Sequence, residues 1–418
     1  LASGYIITCL FKSAARLRIN EARFTVQDID FTLCTHYVYG YARVDVSRNT
    51  ISSMEPDIEE GPSGLYRHFN SAKEKLKSIK TLLSVGGSAA SSDADFHALP
   101  DSDTDLLQFS ENALAFVKQN HFDGLDVDWQ YPDNPAMKRK LGRLLQALRR
   151  LIGNEPILLT ATCPGFSSKV TKGFNVPEIE KNVDFAFVKG FDLVYSVMLH
   201  ATFSSPLYHD QHMSQLPFLN VNYSIHNWHN LGMPYRKMVL GVTAVGRVVK
   251  LYNMSRTSPN SPIDTRVLRL EVCMGYIPAG PTQRLVCLHM SSSKQFFDNV
   301  QKNPYLVSGD LWVGYENERS LEEKIKFLRR LNMAGVYFSS LDEDDFSGKI
   351  CKSGRFPLLS HIKRVLESEG DTTTYPDIPT WYQLRKKYIL LTVLYIVGFA
   401  IGVVFIVFRR NKFSHNRR

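Results

Sequence analysis

The stretch Asp123–Pro132, DGLDVDWQYP, decides how this chain is read. Three aspartates stand at the spacing D-x-x-D-x-D, and an amide, Gln130, holds the next alternate position, where a further acid would complete the row. Over Gly124–Trp129 the segment reads as a β-strand, in which alternate side chains share a face, so Asp126, Asp128 and Gln130 line one side. A row of carboxylates on an otherwise apolar strand needs a reason, because each is costly to take out of water. Two reasons are open: the row does chemistry, or it is a buried polar network that braces the fold.

Outward from this strand, short apolar runs alternate with amphipathic ones. Strands are expected at Tyr5–Leu10, Thr35–Tyr41, Lys80–Val85, Gly124–Trp129, Ile157–Thr162, Leu193–Met198, Met238–Thr243 and Gly335–Ser339. Several are almost continuously apolar, as parallel strands covered on both faces are. Eight such strands with helices between them predict an α/β fold of the (β/α)8 TIM-barrel type, with functional groups at the C-terminal rim of the strands. The rhythm breaks after Arg247. The barrel is therefore placed at residues 1–246 and 312–370, with a small inserted α+β subdomain at 247–311. A polar, Pro-containing stalk follows at 371–387.

From Tyr388 to Phe408 run 21 residues without a charge, enough to cross roughly 30 Å of hydrocarbon as a helix. Three basic residues precede this transmembrane candidate and five follow it, which orients the tail 409–418 to the cytoplasm and the bulk of the chain outside. The expected setting is a single-pass plasma-membrane protein whose stalk also allows release. Beyond these eight cations the chain carries 42 basic and 41 acidic residues, so eight of the nine net positive charges sit at the membrane and nothing points to nucleic acid. Gly398 and Gly402 form a G-x-x-x-G compatible with a homodimer. The sequons at Asn222 and Asn253 fit an extracellular glycoprotein. The opening LASGYIITCL lacks a basic leader region and reads as a processed or incomplete N-terminus.

The strand segment resembles the D-G-x-D-x-D-W-E-Y-P signature of family 18 glycoside hydrolases, the chitinases. Similar motifs follow in order over about residues 5–367: THYVYGYA (Thr35–Ala42), SVGG (Ser84–Gly87), NVNYSIHNW with KMVLGVTAVGR (Asn220–Arg247), WVGYENERS (Trp312–Ser320) and SLDEDDFSGKIC (Ser340–Cys351). The resemblance implies the barrel, the inserted subdomain and disulfides Cys9–Cys34 and Cys273–Cys351, leaving Cys163 and Cys287 unpaired. It also implies that the residue at 130 protonates the glycosidic oxygen while the substrate's acetamido oxygen attacks. Asp126 and Asp128 would tune that acid and orient the acetamide.

Measured against that signature, the site is depleted. Gln130 has no proton to transfer, and loss of a general acid costs about 10²–10⁴ in rate. Ser88 and Ser339 stand where the family has tryptophans, Leu10 and Val245 where it has tyrosines. The sixth-strand Met-x-Tyr-Asp is matched, without gaps, to Val197–His200, which puts Leu199 and His200 at the Tyr and Asp positions. Tyr41, Gly86, Gly87, Asp128, Gln130 and Arg247 remain as possible sugar contacts, and the motif Asp123, Asp126, Asp128, Gln130 reads as vestigial. No cofactor is expected. No metal is expected either, since His200 has no second ligand at metal spacing. Lys138, Arg139, Lys140, Arg143, Arg149 and Arg150 read as a solvated helix face or a glycosaminoglycan patch. The expectation is an inactive chitinase-like module whose partner is a cell-surface or matrix glycan or protein. A lectin for N-acetylglucosamine oligomers and a weakly active chitinase are the alternatives.

Overall fold

The computed structural model describes residues 4–87, 92–194, 199–212, 217–265, 286–287 and 293–368. The barrel strands are β1 (Ile6–Lys12), β2 (His36–Asp45), β3 (Lys80–Gly86), β4 (Gly124–Asp128), β5 (Leu158–Cys163), β6 (Phe185–Lys189), β7 (Met238–Thr243) and β8 (Gly335–Ser339). Each pairs in parallel with the next, and β1 pairs with both β2 and β8, so the sheet closes on itself. Closure leaves no barrel strand with an unpaired edge. Residues 50–53 add one antiparallel strand beside β2.

Seven of the eight expected strands lie where the sequence places them. The sixth does not. The apolar run at 193–198 resembles a core strand more than Phe185–Lys189 does, which is short and ends in a lysine, yet Phe185–Lys189 pairs with β5 and β7. Residues 195–198 lie outside the described ones.

Strand alternation sorts the barrel interior into layers. Leu10, Val38, Leu82, Phe187, Val239 and Tyr337 form one buried apolar cluster contributed by six strands. Phe187 and Tyr337 stack at 4.9 Å between ring centroids. Above this floor the inward positions turn polar. Outside the barrel, helices such as Asp103–Gln119, Pro135–Ile152 and Glu318–Arg330 bury one apolar face each against the sheet.

Among the described residues the inserted unit forms a four-stranded antiparallel sheet from residues 294–298, 303–308, 311–314 and 247–250, in that order. Its strand Leu311–Gly314 carries the unit slightly past the expected boundary at 311. One disulfide is as expected, joining Cys9 of β1 to Cys34 just before β2. The other is corrected. Cys351 pairs with Cys287 at a Cα–Cα distance of 5.0 Å, well inside disulfide range, and Cys273 lies outside the described residues. Between Cys273 and Cys287 no motif fixes the register, so matching by order alone chose the wrong one. Cys163 is buried and unpaired.

Asn253 is exposed in a turn where its Oδ1 accepts from the Ser255 N–H. Asn222 is half-buried in the first turn of the helix Val221–Asn230. Part of the basic helix is engaged, while Arg139 and Arg150 are exposed as a solvated face would have them. Lys140 is buried, donating to the carbonyls of His97 and Leu99 and pairing with Asp101. Arg143 pairs with Asp103, and Arg149 with Asp184. The expected span 388–408, with Gly398 and Gly402, lies outside the described residues. Among the described residues no helix is long and apolar enough to cross a membrane.

Candidate functional site

The site is the C-terminal mouth of the barrel. Register places Ser84 of β3 and Thr160 of β5 on either side of Asp126. All three point inward, and Thr162, two residues on, joins them by the same alternation. Asp126 is fully buried and accepts three hydroxyl hydrogen bonds, from Ser84 at 2.7 Å, Thr160 at 2.8 Å and Thr162 at 2.9 Å. Burial, and then the charge of Asp128, push its carboxyl up to about 6. The hydroxyls work against that shift by favouring the ionised form.

Asp128 is buried one step nearer the rim. Gln130 Nε2 donates to its Oδ1 at 3.0 Å and its Oδ2 at 2.9 Å. Burial raises the Asp128 pKa, while Lys189 and the amide pull it back. Lys189, the last residue of β6, places its ammonium 3.7 Å from Asp128 Oδ1 and 5.8 Å from the centre of the Tyr131 ring. Burial disfavours that ammonium, but Asp128, Tyr131 and Asp192 outweigh it and the pKa is raised. Peptide bonds 40–41, 130–131 and 339–340 are cis.

Glycine fits Tyr41 into this mouth. At Gly87, with φ of +73°, a Cβ would lie 2.4 Å from the Tyr41 ring, and at Gly86, with φ of +105°, 2.4 Å from the Asp128 carbonyl. The Gly87 N–H donates to that carbonyl at 2.8 Å. Burial, with Asp128, Asp126 and Asp342 nearby, holds the Tyr41 hydroxyl well above its ordinary range. On the far side of the mouth Arg18 pairs with buried Asp342 at 2.7 Å and with Glu343 at 2.8 Å.

The structure therefore brings together Tyr41, Gly86, Gly87, Asp126, Asp128 and Gln130. It leaves out Asp123, and it sets Arg247 and His200 beside the inserted sheet. Asp123 precedes β4, at the opposite end of the strand, where it accepts from the Thr81 N–H at 2.8 Å and pairs with Lys73 at 3.0 Å. Arg247 opens the first strand of the inserted sheet and donates to Thr202. His200, the proposed occupant of a sixth-strand rim position, instead bridges to Pro262 beside the inserted sheet. The sixth strand ends at Lys189 and runs on into Gly190-Phe191-Asp192, so these four residues take the Met-x-Tyr-Asp positions given to Val197–His200 by the gap-free match. The aspartate is kept, the tyrosine is a phenylalanine, and the methionine is a lysine. Gap-free matching to the apolar run hid them; the signal was the Val183-Asp184 pair before β6, which repeats the Phe122-Asp123 entry of β4. Ser88 lies outside the described residues. Among the described residues no group of three His, Cys, Asp or Glu side chains is placed to hold a metal ion.

Buried titratable groups make stability depend on pH in two opposing ways. Asp126, up to about 6, and Asp344, which burial pushes up to about 7, hold protons in the folded state that the unfolded chain releases near 3.8. Their contribution favours folding at low pH and is lost as pH rises from about 4 through their folded pKa values. His36 runs the other way: burial, with Lys80 nearby, lowers it from 6.5 to about 4. Its contribution is present above 6.5 and is lost as pH falls toward 4. Each group is worth about 1 kcal/mol per pH unit inside its window, so the histidine offsets about half of the two aspartates. His36→Gln is expected to raise the thermal midpoint on moving from about pH 7.5 to about pH 5 relative to the parent, and Asp126→Asn to lower it over the same step. Parallel profiles for the parent and both variants would show that these groups do not set the dependence.

Comparison with known proteins places this geometry. Residues 7–344 match the family described as Glycosyl hydrolases family 18. Human chitinase-3-like protein 2 is 30% identical over 389 residues, covering 88% of this chain and 94% of that protein. The endochitinase of Brugia malayi is 29% identical over 389 residues, covering 90% and 75%. The Group IV chitinase of Ostrinia furnacalis superimposes with a TM-score of 0.77 at 29% identity, covering 87% of this chain and 100% of that one. Human YKL-39, described as a pseudo-chitinase with retained chitooligosaccharide binding properties, gives the same TM-score, identity and coverage.

Proposed function

The chain belongs to family 18 of the glycosyl hydrolases, and from that membership we propose a chitinase-like recognition module that does not hydrolyse sugar. One observation carries the reading. The side chain in the acid's place, Gln130, spends its N–H bonds on both oxygens of Asp128 and has no proton to give a leaving group. Asp126 cannot stand in, being fully enclosed and tied to three hydroxyls. We place the module outside the cell on the span 388–408, with a glycan or protein as its partner.

A second reading, a lectin for chito-oligosaccharides, draws on Tyr41 and Asp128 standing together in the mouth and on the similarity to YKL-39. Calorimetric titration of chitotetraose to chitohexaose into the protein separates the two. Saturable binding, weakened at least about tenfold by Asp128→Ala (about 1.4 kcal/mol), would establish the lectin. No heat at millimolar sugar would leave recognition to another surface. Release of N-acetylglucosamine oligomers from chitin, abolished by Asp128→Ala, would refute the non-hydrolysing reading.

A further inference from the structure

Family 18 membership explains why an acid is looked for at position 130; it does not explain a lysine in the mouth. Lys189 Nζ and Gln130 Nε2 face the same atom, Asp128 Oδ1, at 3.7 and 3.0 Å. The ammonium and the side chain at 130 are thus separated by one carboxylate oxygen. The lysine side chain is 12% exposed and Asp128 is 1% exposed, so water screens neither well. The Tyr131 ring, which follows residue 130 directly, lies on the same ammonium.

We propose that Lys189 is a second block on hydrolysis, separate from the amide: anchored on Asp128, its ammonium would keep a carboxylic acid at position 130 ionised and unable to protonate a glycosidic oxygen. The inference rests on the reading of a non-hydrolysing mouth and extends it to a positioning residue. Two buried carboxyls side by side share a proton, because both cannot ionise cheaply, and that sharing keeps one of them an acid near neutral pH. A cation held on one of them lifts the restriction, and both ionise. Lys189 is the cation on Asp128. The remaining titratable groups around the pair are Asp126 on β4, Tyr41 on β2, Tyr131 after Gln130, Cys163 on β5, Asp192 after β6 and Tyr337 on β8. Two further lysines stand nearby, Lys169 at 5.6 Å from the centre of the Tyr131 ring and Lys12 beside Asp192, but the ion pair of Asp128 is with Lys189.

The test reads the introduced carboxyl itself. Gln130→Glu, alone and combined with Lys189→Met, is made in the full chain labelled with carboxyl-¹³C glutamate. The added resonance is followed against pH by difference from the parent and from Lys189→Met. The expected result is a midpoint at least about one pH unit higher in the double variant, within the usual range for removing an adjacent cation. Should Lys189→Met not fold, Lys189→Gln, which keeps a hydrogen bond to Asp128 without the charge, is expected to give the same rise. Equal midpoints with and without the lysine would overturn the proposal. Sugar hydrolysis by the unaltered chain would instead overturn the underlying reading, and the two failures are read from different experiments.

Discussion

Lys324→Met is expected to cost about 3–5 kcal/mol of folding stability, although Lys324 touches no part of the barrel mouth. Lys324 and Glu316 are 2% and 1% exposed and form a buried ion pair. Glu316 also accepts from Ser205, from Asn303 at 3.1 Å and from Ser320 at 2.6 Å. These partners come from the inserted sheet, the segment leading toward it and the helix Glu318–Arg330, so one carboxylate fastens the insertion to the barrel's outer wall. Methionine fills the lysine's volume but leaves that carboxylate buried without its cation. Replacing both partners, as Glu316→Gln with Lys324→Met, is expected to cost less than Lys324→Met alone, because no bare charge remains. Urea unfolding of the three proteins measures the difference. A loss below about 1 kcal/mol for Lys324→Met would mean that water reaches the pair.

The second large effect falls on Asp126. Asp126→Ala removes the common acceptor of three buried hydroxyls and opens a cavity in the barrel, at an expected cost of about 2–4 kcal/mol. Asp126→Asn should stay within about 1 kcal/mol near neutral pH. An amide keeps the shape, hydroxyls rotate to suit either end of it, and repulsion with Asp128 disappears. Thermal or urea unfolding of the two variants is the measurement. An alanine variant as stable as the asparagine one would show that the hydroxyls find other partners.

Asp126 also shows what the sequence reveals and what it hides. Its position followed from strand alternation alone, and so did the polar face shared with Asp128 and Gln130. The hydroxyls of Ser84, Thr160 and Thr162 were invisible, because they are ordinary strand residues on neighbouring segments and only register aligns them. Of the two reasons open at the start, the brace is the one the hydrogen bonds of Asp126 support, within a row that is a family 18 signature. Lys189 was hidden for another reason. A charged residue at the end of a five-residue strand competes poorly, in any pattern search, with the six-residue apolar run that follows. The second disulfide failed similarly, since two cysteines on one poorly marked segment differ only in where the chain carries them. Asp123 looked like part of the row because it begins it. The strand's length puts it at the barrel's other end, where it holds the start of β3.

Closure of the sheet has a consequence for synthesis. Ile6 of β1 pairs with Gly335 of β8, so the first strand made needs the last one. At roughly 5–20 residues per second, a ribosome makes that partner about 15–70 seconds later. Until then the edge of β1 that faces β8 has no strand beside it. The bridge from Cys9 to Cys34 spans only 25 residues, so it can form while the rest of the chain is still being made. In an oxidising compartment it would moor β1 to β2 during the wait, giving the nascent barrel a seam from which the remaining strands are laid down in order.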